Sequence, residues 1–265
     1  MKANWTIALM CVATIAMVAC QDKNQPSASG SGSSDNTNPT DTTTTPTDPT
    51  DPTDTTYVSP ISIRDKSIAD WDKLDEKKVA VAKVTGDPLY TALKEVRVYA
   101  DKVYINFLLK YDPAEYTVSS DGDFLHIYMN ADNNDETGGY WDQFDAPNQG
   151  NTDLMFEGIL WDAEGNTFSY GPTVSAWAGE VNGEGWLWEV LPSASTIAGS
   201  QFVEDGIIEG RLIKQYIPWA KWEDSFEIGF DIQQNSESVG LLPQADTPDG
   251  EHIGRSKKLL VTFDK

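Results

Sequence analysis

Val103, Ile105, Phe107 and Leu109 occupy every second position, with Tyr104, Asn106 and Lys110 at positions of the other parity. A period of two marks a strand with one face turned to a core. Val96-Arg97-Val98-Tyr99 precedes this run across Ala100-Asp101, which reads as a hairpin. Further strand candidates are Val79–Val84, Phe124–Met129, Leu154–Trp161, Thr167–Tyr170, Val174–Trp177, Trp186–Val190, Ile207–Gln215, Phe226–Gln234 and Leu259–Phe263, separated by Gly, Asn, Asp and Pro. Pro88–Lys94 and Trp219–Trp222 read as a turn or two of helix. No long amphipathic helix lies between strand candidates, which argues against a parallel α/β sheet. The expected fold class is all-β, an antiparallel β-sandwich with jelly-roll-like connections, over residues 58–265. A domain of that length buries roughly 70% of its unfolded surface, so it needs no covalent staple. It has none to use, since the two cysteines, Cys11 and Cys20, both fall in the first twenty residues.

The start of the chain follows different rules. Lys2 gives a positive start, and Thr6 to Ala19 is an apolar run too short to span a membrane and of the length of a signal-peptide core. It ends at Met17-Val18-Ala19-Cys20, which resembles a bacterial lipobox. That resemblance implies cleavage after residue 19 and acylation of Cys20, against the alternative of an ordinary signal peptide with a chance cysteine. Each buried CH₂ of an acyl chain contributes about 0.8 kcal/mol, and two or more chains anchor stably. Residues 20–57 read as a disordered linker. Residues 21–57 hold eleven Thr, six Asp, five Ser and five Pro and too little apolar surface to offset the entropy of ordering. The Pro-Thr-Asp repeat of Pro46 to Asp54 favours extended polyproline II.

Charge narrows the partners. The formal net charge is −23, from 19 Lys and Arg against 42 Asp and Glu. Nucleic acid is excluded by this balance, because phosphate binding needs a basic surface. Electrostatic docking on anionic lipid is excluded for the same reason, so any membrane contact runs through the lipid anchor. The only histidines are His126 and His252, too few for a Ser-His-Asp triad with alternatives or a His-rich metal site. His126 alternates within a strand and reads as structural.

Several phrases carry a resemblance. They are Ala69-Asp70-Trp71-Asp72-Lys73-Leu74, Lys94 to Ile105, Ile127-Tyr128-Met129-Asn130-Ala131-Asp132-Asn133-Asn134 with Thr137-Gly138-Gly139, Asp153 to Gly158, Ile208-Glu209-Gly210-Arg211, and Val239 to Gln244. In this order they resemble Bacteroidales surface lipoproteins whose domain is similar to family 9 carbohydrate-binding modules and their DOMON-like relatives. The resemblance implies a β-sandwich, often with calcium, and sugar binding in the better-known relatives. Asn130 stands where those relatives usually carry Asp. It also implies an outer-membrane, surface-exposed location. Gln21 in place of the Asp that retains lipoproteins at the inner membrane agrees, while of the acidic residues that follow the Cys in export signals only Asp22 is present. Asp41-Thr42-Thr43 and Asp54-Thr55-Thr56 look like O-glycosylation acceptors of that phylum, at Thr42 and Thr55.

Two constellations are candidates for binding. Asn130, Asp132, Asn134, Asp135 and Glu136 concentrate oxygen donors, and calcium takes six to eight oxygens. This is no EF-hand, because the sixth residue from Asn130 is Asp135 and not glycine. Asx-rich turns use the same residues. Trp141, Trp177 and Trp186 are candidate sugar platforms, with Asn148, Gln149 and Arg211 as polar partners, since a pyranose packs its C–H face on a ring while its hydroxyls take hydrogen bonds. Core filling is the competing role for any Trp in a sandwich. No short signature marks a carboxylate pair as catalytic, so the expected role is non-catalytic glycan binding at the cell surface. A structural or protein-interaction module of an outer-membrane complex is the alternative, and a glycan-cleaving enzyme the third.

Overall fold

The computed structural model describes residues 57–63, 65–86, 90–116, 123–139, 151–159, 173–180, 187–191, 197–202, 206–214, 224–235, 237–244 and 258–265. Among the described residues, twelve strands run in chain order: β1 Ala80–Lys83, β2 Leu93–Ala100, β3 Tyr104–Tyr111, β4 Phe124–Asn130, β5 Leu154–Ile159, β6 Thr173–Trp177, β7 Trp188–Val190, β8 Ile197–Phe202, β9 Ile207–Ile213, β10 Ser225–Gln234, β11 Glu237–Leu242 and β12 Leu259–Thr262. They build an antiparallel sandwich. The first sheet has the order β1-β2-β3-β9-β8, the second β11-β10-β4-β5-β6-β7, with β12 also paired to β10.

The hairpin expected at Ala100-Asp101 is there, and its turn has a chemical cause. Buried Asp101 accepts from the backbone N–H groups of Val103 at 2.8 Å and Tyr104 at 2.7 Å, the Asx pattern that replaces ladder bonds at a reversal. Ile105, Phe107 and Leu109 then face inward against Ile127, Met129, Phe156 and Phe230 of the second sheet. The rings of Phe107 and Phe230 meet with centroids 5.4 Å apart. Backbone bonds close one side of the sandwich. At the two ends of β2, Ala92 N–H donates to Val239 at 2.9 Å and Asp264 N–H donates to Ala100 at 2.8 Å.

Three features depart from the expectation. Leu93 and Lys94, read as part of a helical turn, begin β2, and a register shift between Leu93 and Glu95 brings Leu93 into the core beside Val96 and Val98. β8 and β11 were not expected as strands. The third departure is a cover on the first sheet. Leu108 and Tyr99 lie on its outer face, yet both are buried, under Ile61, Ile63 and Trp71. The described residues between 57 and 79 thus form a strap, with two short 3₁₀ turns at Trp71–Lys73 and Glu76–Lys78. Each large apolar side chain removed from water there contributes about 1.5–3 kcal/mol.

Candidate functional site

The outer face of the second sheet carries a row of polar side chains set by register. On β10, β4 and β5, Asp231 stands opposite His126, and His126 opposite Glu157. Phe124, His126 and Tyr128 alternate along β4 on this face, and the His126 and Tyr128 rings stack at 5.9 Å, 5° from parallel. His126 Nε2 lies 3.7 Å from Glu157 Oε1. This contact with His126 holds the Glu157 carboxyl below its ordinary range, against the opposing effect of burial. Asp231 shows the reverse. Burial raises its carboxyl, although Oδ2 accepts from Gln233 Nε2 at 2.7 Å and from Ser238 Oγ at 3.0 Å. Asp231 Oδ1 and His126 Nδ1 are both buried with no hydrogen-bond partner. Asp231 and His126, paired in register, thus form a polar floor on this face, each keeping one buried hydrogen-bonding atom without a partner.

Aromatic groups continue that floor. Tyr128, Met155, Trp188 and Leu241 make a buried cluster on the same face, with Tyr90 and Trp177 packed against it and partly exposed. Trp177 pairs in register with Trp188, and their rings meet edge to face at 5.3 Å. Its Nε1 donates to the Glu180 carbonyl at 2.9 Å. A Cβ added at Gly139 would come within 2.2 Å of the Trp177 ring, and one at Gly179 within 2.5 Å. Glycine at both positions lets the backbone close on the indole, so the ring is held in one orientation.

The Asx-rich loop lies at one end of this sheet. Asn130 Oδ1 accepts from Asn134 N–H at 3.0 Å, and Asp132 Oδ1 from Asn134 N–H at 3.2 Å and Thr137 Oγ1 at 2.9 Å. Asn134 Oδ1 accepts from Glu136 N–H at 3.0 Å. The side chains expected as ligands thus shape a chain of turns, helped by positive φ at Asn133 and Gly138. Asp135 Oδ1 accepts from Asn151 Nδ2 at 2.7 Å. Asp153, behind the loop, accepts from Ala131 N–H at 2.8 Å, and burial together with the charge of Asp132 pushes its carboxyl up to about 6.

Of the expected sugar contacts, Trp177 lies on the aromatic face, while Trp141, Trp186, Asn148 and Gln149 fall outside the described residues, as do Cys20, Thr42 and Thr55. Arg211 is not a partner of Trp177. It projects from β9 on the outer face of the first sheet, 4% exposed, and donates to the Ile61 carbonyl at 2.6 Å under the strap. Its guanidinium carbon also sits 4.4 Å from the centre of the Tyr104 ring. The reason is parity: Arg211 alternates with the core residues Gly210 and Leu212, so it must point away from the core of its own sheet. Sequence reading did not single out Asp231 or Tyr90, and His126, expected to be structural, is buried in β4. Strand order was the missing information, because β10, β4 and β5 are not consecutive in the chain.

No protein-family model, curated protein or solved structure matches this chain.

Proposed function

We propose that this protein is a lipid-anchored envelope protein whose β-sandwich binds a glycan, without cleaving it, on the outer face of the second sheet. The observation that supports this most is that one sheet face carries both a fixed, partly exposed indole at Trp177 and the polar row Asp231-His126-Glu157. A sugar site combines these two kinds of group. A preformed indole also loses little freedom on binding. The outer face of the first sheet is closed by the strap, and Tyr57 packs against Tyr104 there at a centroid distance of 6.3 Å. The excess of negative charge favours neutral or cationic glycans over sulfated or uronic ones.

The test is a glycan array probed with the purified full-length protein, followed by titration of the best ligand. Trp177→Ala is expected to weaken that binding about tenfold, near 1.4 kcal/mol, and Glu157→Gln to weaken it less. Silence across neutral, amino and acidic glycans would end the proposal. A second reading, protein docking, has one observation in favour: Leu187, just before the short strand β7, is 48% exposed, and Val190 within it is 67% exposed. A partner that co-purifies with the wild type and is lost with Val190→Lys would support docking.

A further inference from the structure

We infer that Lys258 is the resident cation of the Asx-rich loop, supplying from within the chain the positive charge for which calcium was the expectation. The inference stands apart from the glycan proposal. Lys258 immediately precedes β12 and is 6% exposed. Its Nζ lies 2.6 Å from Asn151 Oδ1. The amide nitrogen of Asn151 in turn reaches Asp135 Oδ1 at 2.7 Å and Glu227 Oε2 at 3.3 Å. Glu227 Oε2 also takes a bond from Asn130 Nδ2 at 3.3 Å. The ammonium, one bridging amide and two carboxylates therefore form a connected unit at the sheet end.

The same charge reaches Asp153, where Lys258 opposes the effects of burial and of Asp132. A buried ammonium persists only where carboxylates and hydrogen bonds compensate its lost hydration. Here that compensation runs through Asn151 to the carboxylates of Asp135 and Glu227. Asn130, Asp132, Asn134 and Asp153 each already give a side-chain oxygen to a backbone N–H. Their arrangement is thus satisfied by the chain itself. Register explains why the lysine arrives: Ile228 pairs with Leu259, which carries Lys258 to the strand that holds Glu227.

Thermal melts of the full-length protein test this in chelator and in millimolar calcium. The wild type is expected to melt at the same temperature in both, within about 1 °C. Lys258→Met is expected to melt lower by about 10 °C, the scale for removing one partner of a buried charged group in a domain of this size. Lys258→Arg is expected to recover most of that loss, because it keeps the charge. A wild-type midpoint that climbs by several degrees with calcium would overturn the inference. So would Lys258→Met melting like the wild type. If Lys258→Met does not fold, the calcium comparison on the wild type and the Arg variant still decide.

Discussion

Replacing Phe107 with alanine is expected to lower stability by about 3–5 kcal/mol, enough to drop the melting temperature by roughly 10 °C. Phe107 is fully buried, packs on Phe230, and lies opposite Gly210 on β9. A Cβ built at Gly210 would come within 2.2 Å of the Phe107 ring. The ring therefore fills the space that a side chain on β9 would take, and the two positions act as one packing unit. Gly210→Ala alone should displace the ring and cost about 1–3 kcal/mol. Combined with Phe107→Leu, which vacates part of that space, the same glycine change should cost measurably less. Urea melts of the wild type, the two single variants and the double variant give the coupling directly. Strict additivity would show that the ring and the glycine are not one unit.

Phe107 was legible from the sequence because its neighbours Ile105 and Leu109 share its parity, while Asn106 and Lys110 mark the other face. Leu108 was not. It sits on the outer face of a sheet that is covered on both sides, and period two then loses its contrast. The cover came from residues 57–79, where Ile61 and Ile63 alone share strand spacing and Trp71 follows eight residues later, too sparse a pattern to mark an element. β8 was missed because Ala198, Gly199, Ser200 and Gln201 carry little strand preference, and β11 because Gly240 interrupts it. Gly240 has a reason in packing: a Cβ there would come within 2.9 Å of Ala92 and of the Leu93 backbone. At the candidate site, the residue types were readable, but the pairing that sets Asp231 beside His126 was not. Arg211 shows the same limit from the other side. Its chemistry suited a sugar partner, while its strand parity, visible in Gly210 and Leu212, already directed it under the strap.

The strap makes the second large prediction, which concerns pH. Glu209 alternates with Ile208 and Gly210, so it projects from β9 beneath residues 57–79 and is fully buried. Its Oε1 accepts from Trp71 Nε1 at 2.7 Å, and its Oε2 has no hydrogen-bond partner. Burial, reinforced by the charges of Asp65 and Asp70, pushes the carboxyl up to about 7 against the relief given by Trp71 and Arg211. The folded-state value is thus raised above the unfolded one. The neutral acid is compatible with the strap, and the penalty for ionising it grows as pH rises from about 4.5 through 7. The full loss across that window is about 3 kcal/mol. Glu209→Gln keeps an oxygen for Trp71 and cannot ionise. At pH 5 it should be as stable as the wild type or slightly less so. At pH 8.5 it should be the more stable of the two, by an amount approaching that loss. Urea melts of both proteins at the two pH values read the difference, and taking the difference cancels the other acidic groups. Limited proteolysis locates it: cleavage within residues 57–79 should rise with pH in the wild type and stay level in the variant, because the charge is trapped under that segment. Parallel stability profiles for the two proteins would show that Glu209 ionises without cost and that the strap does not sense pH through it.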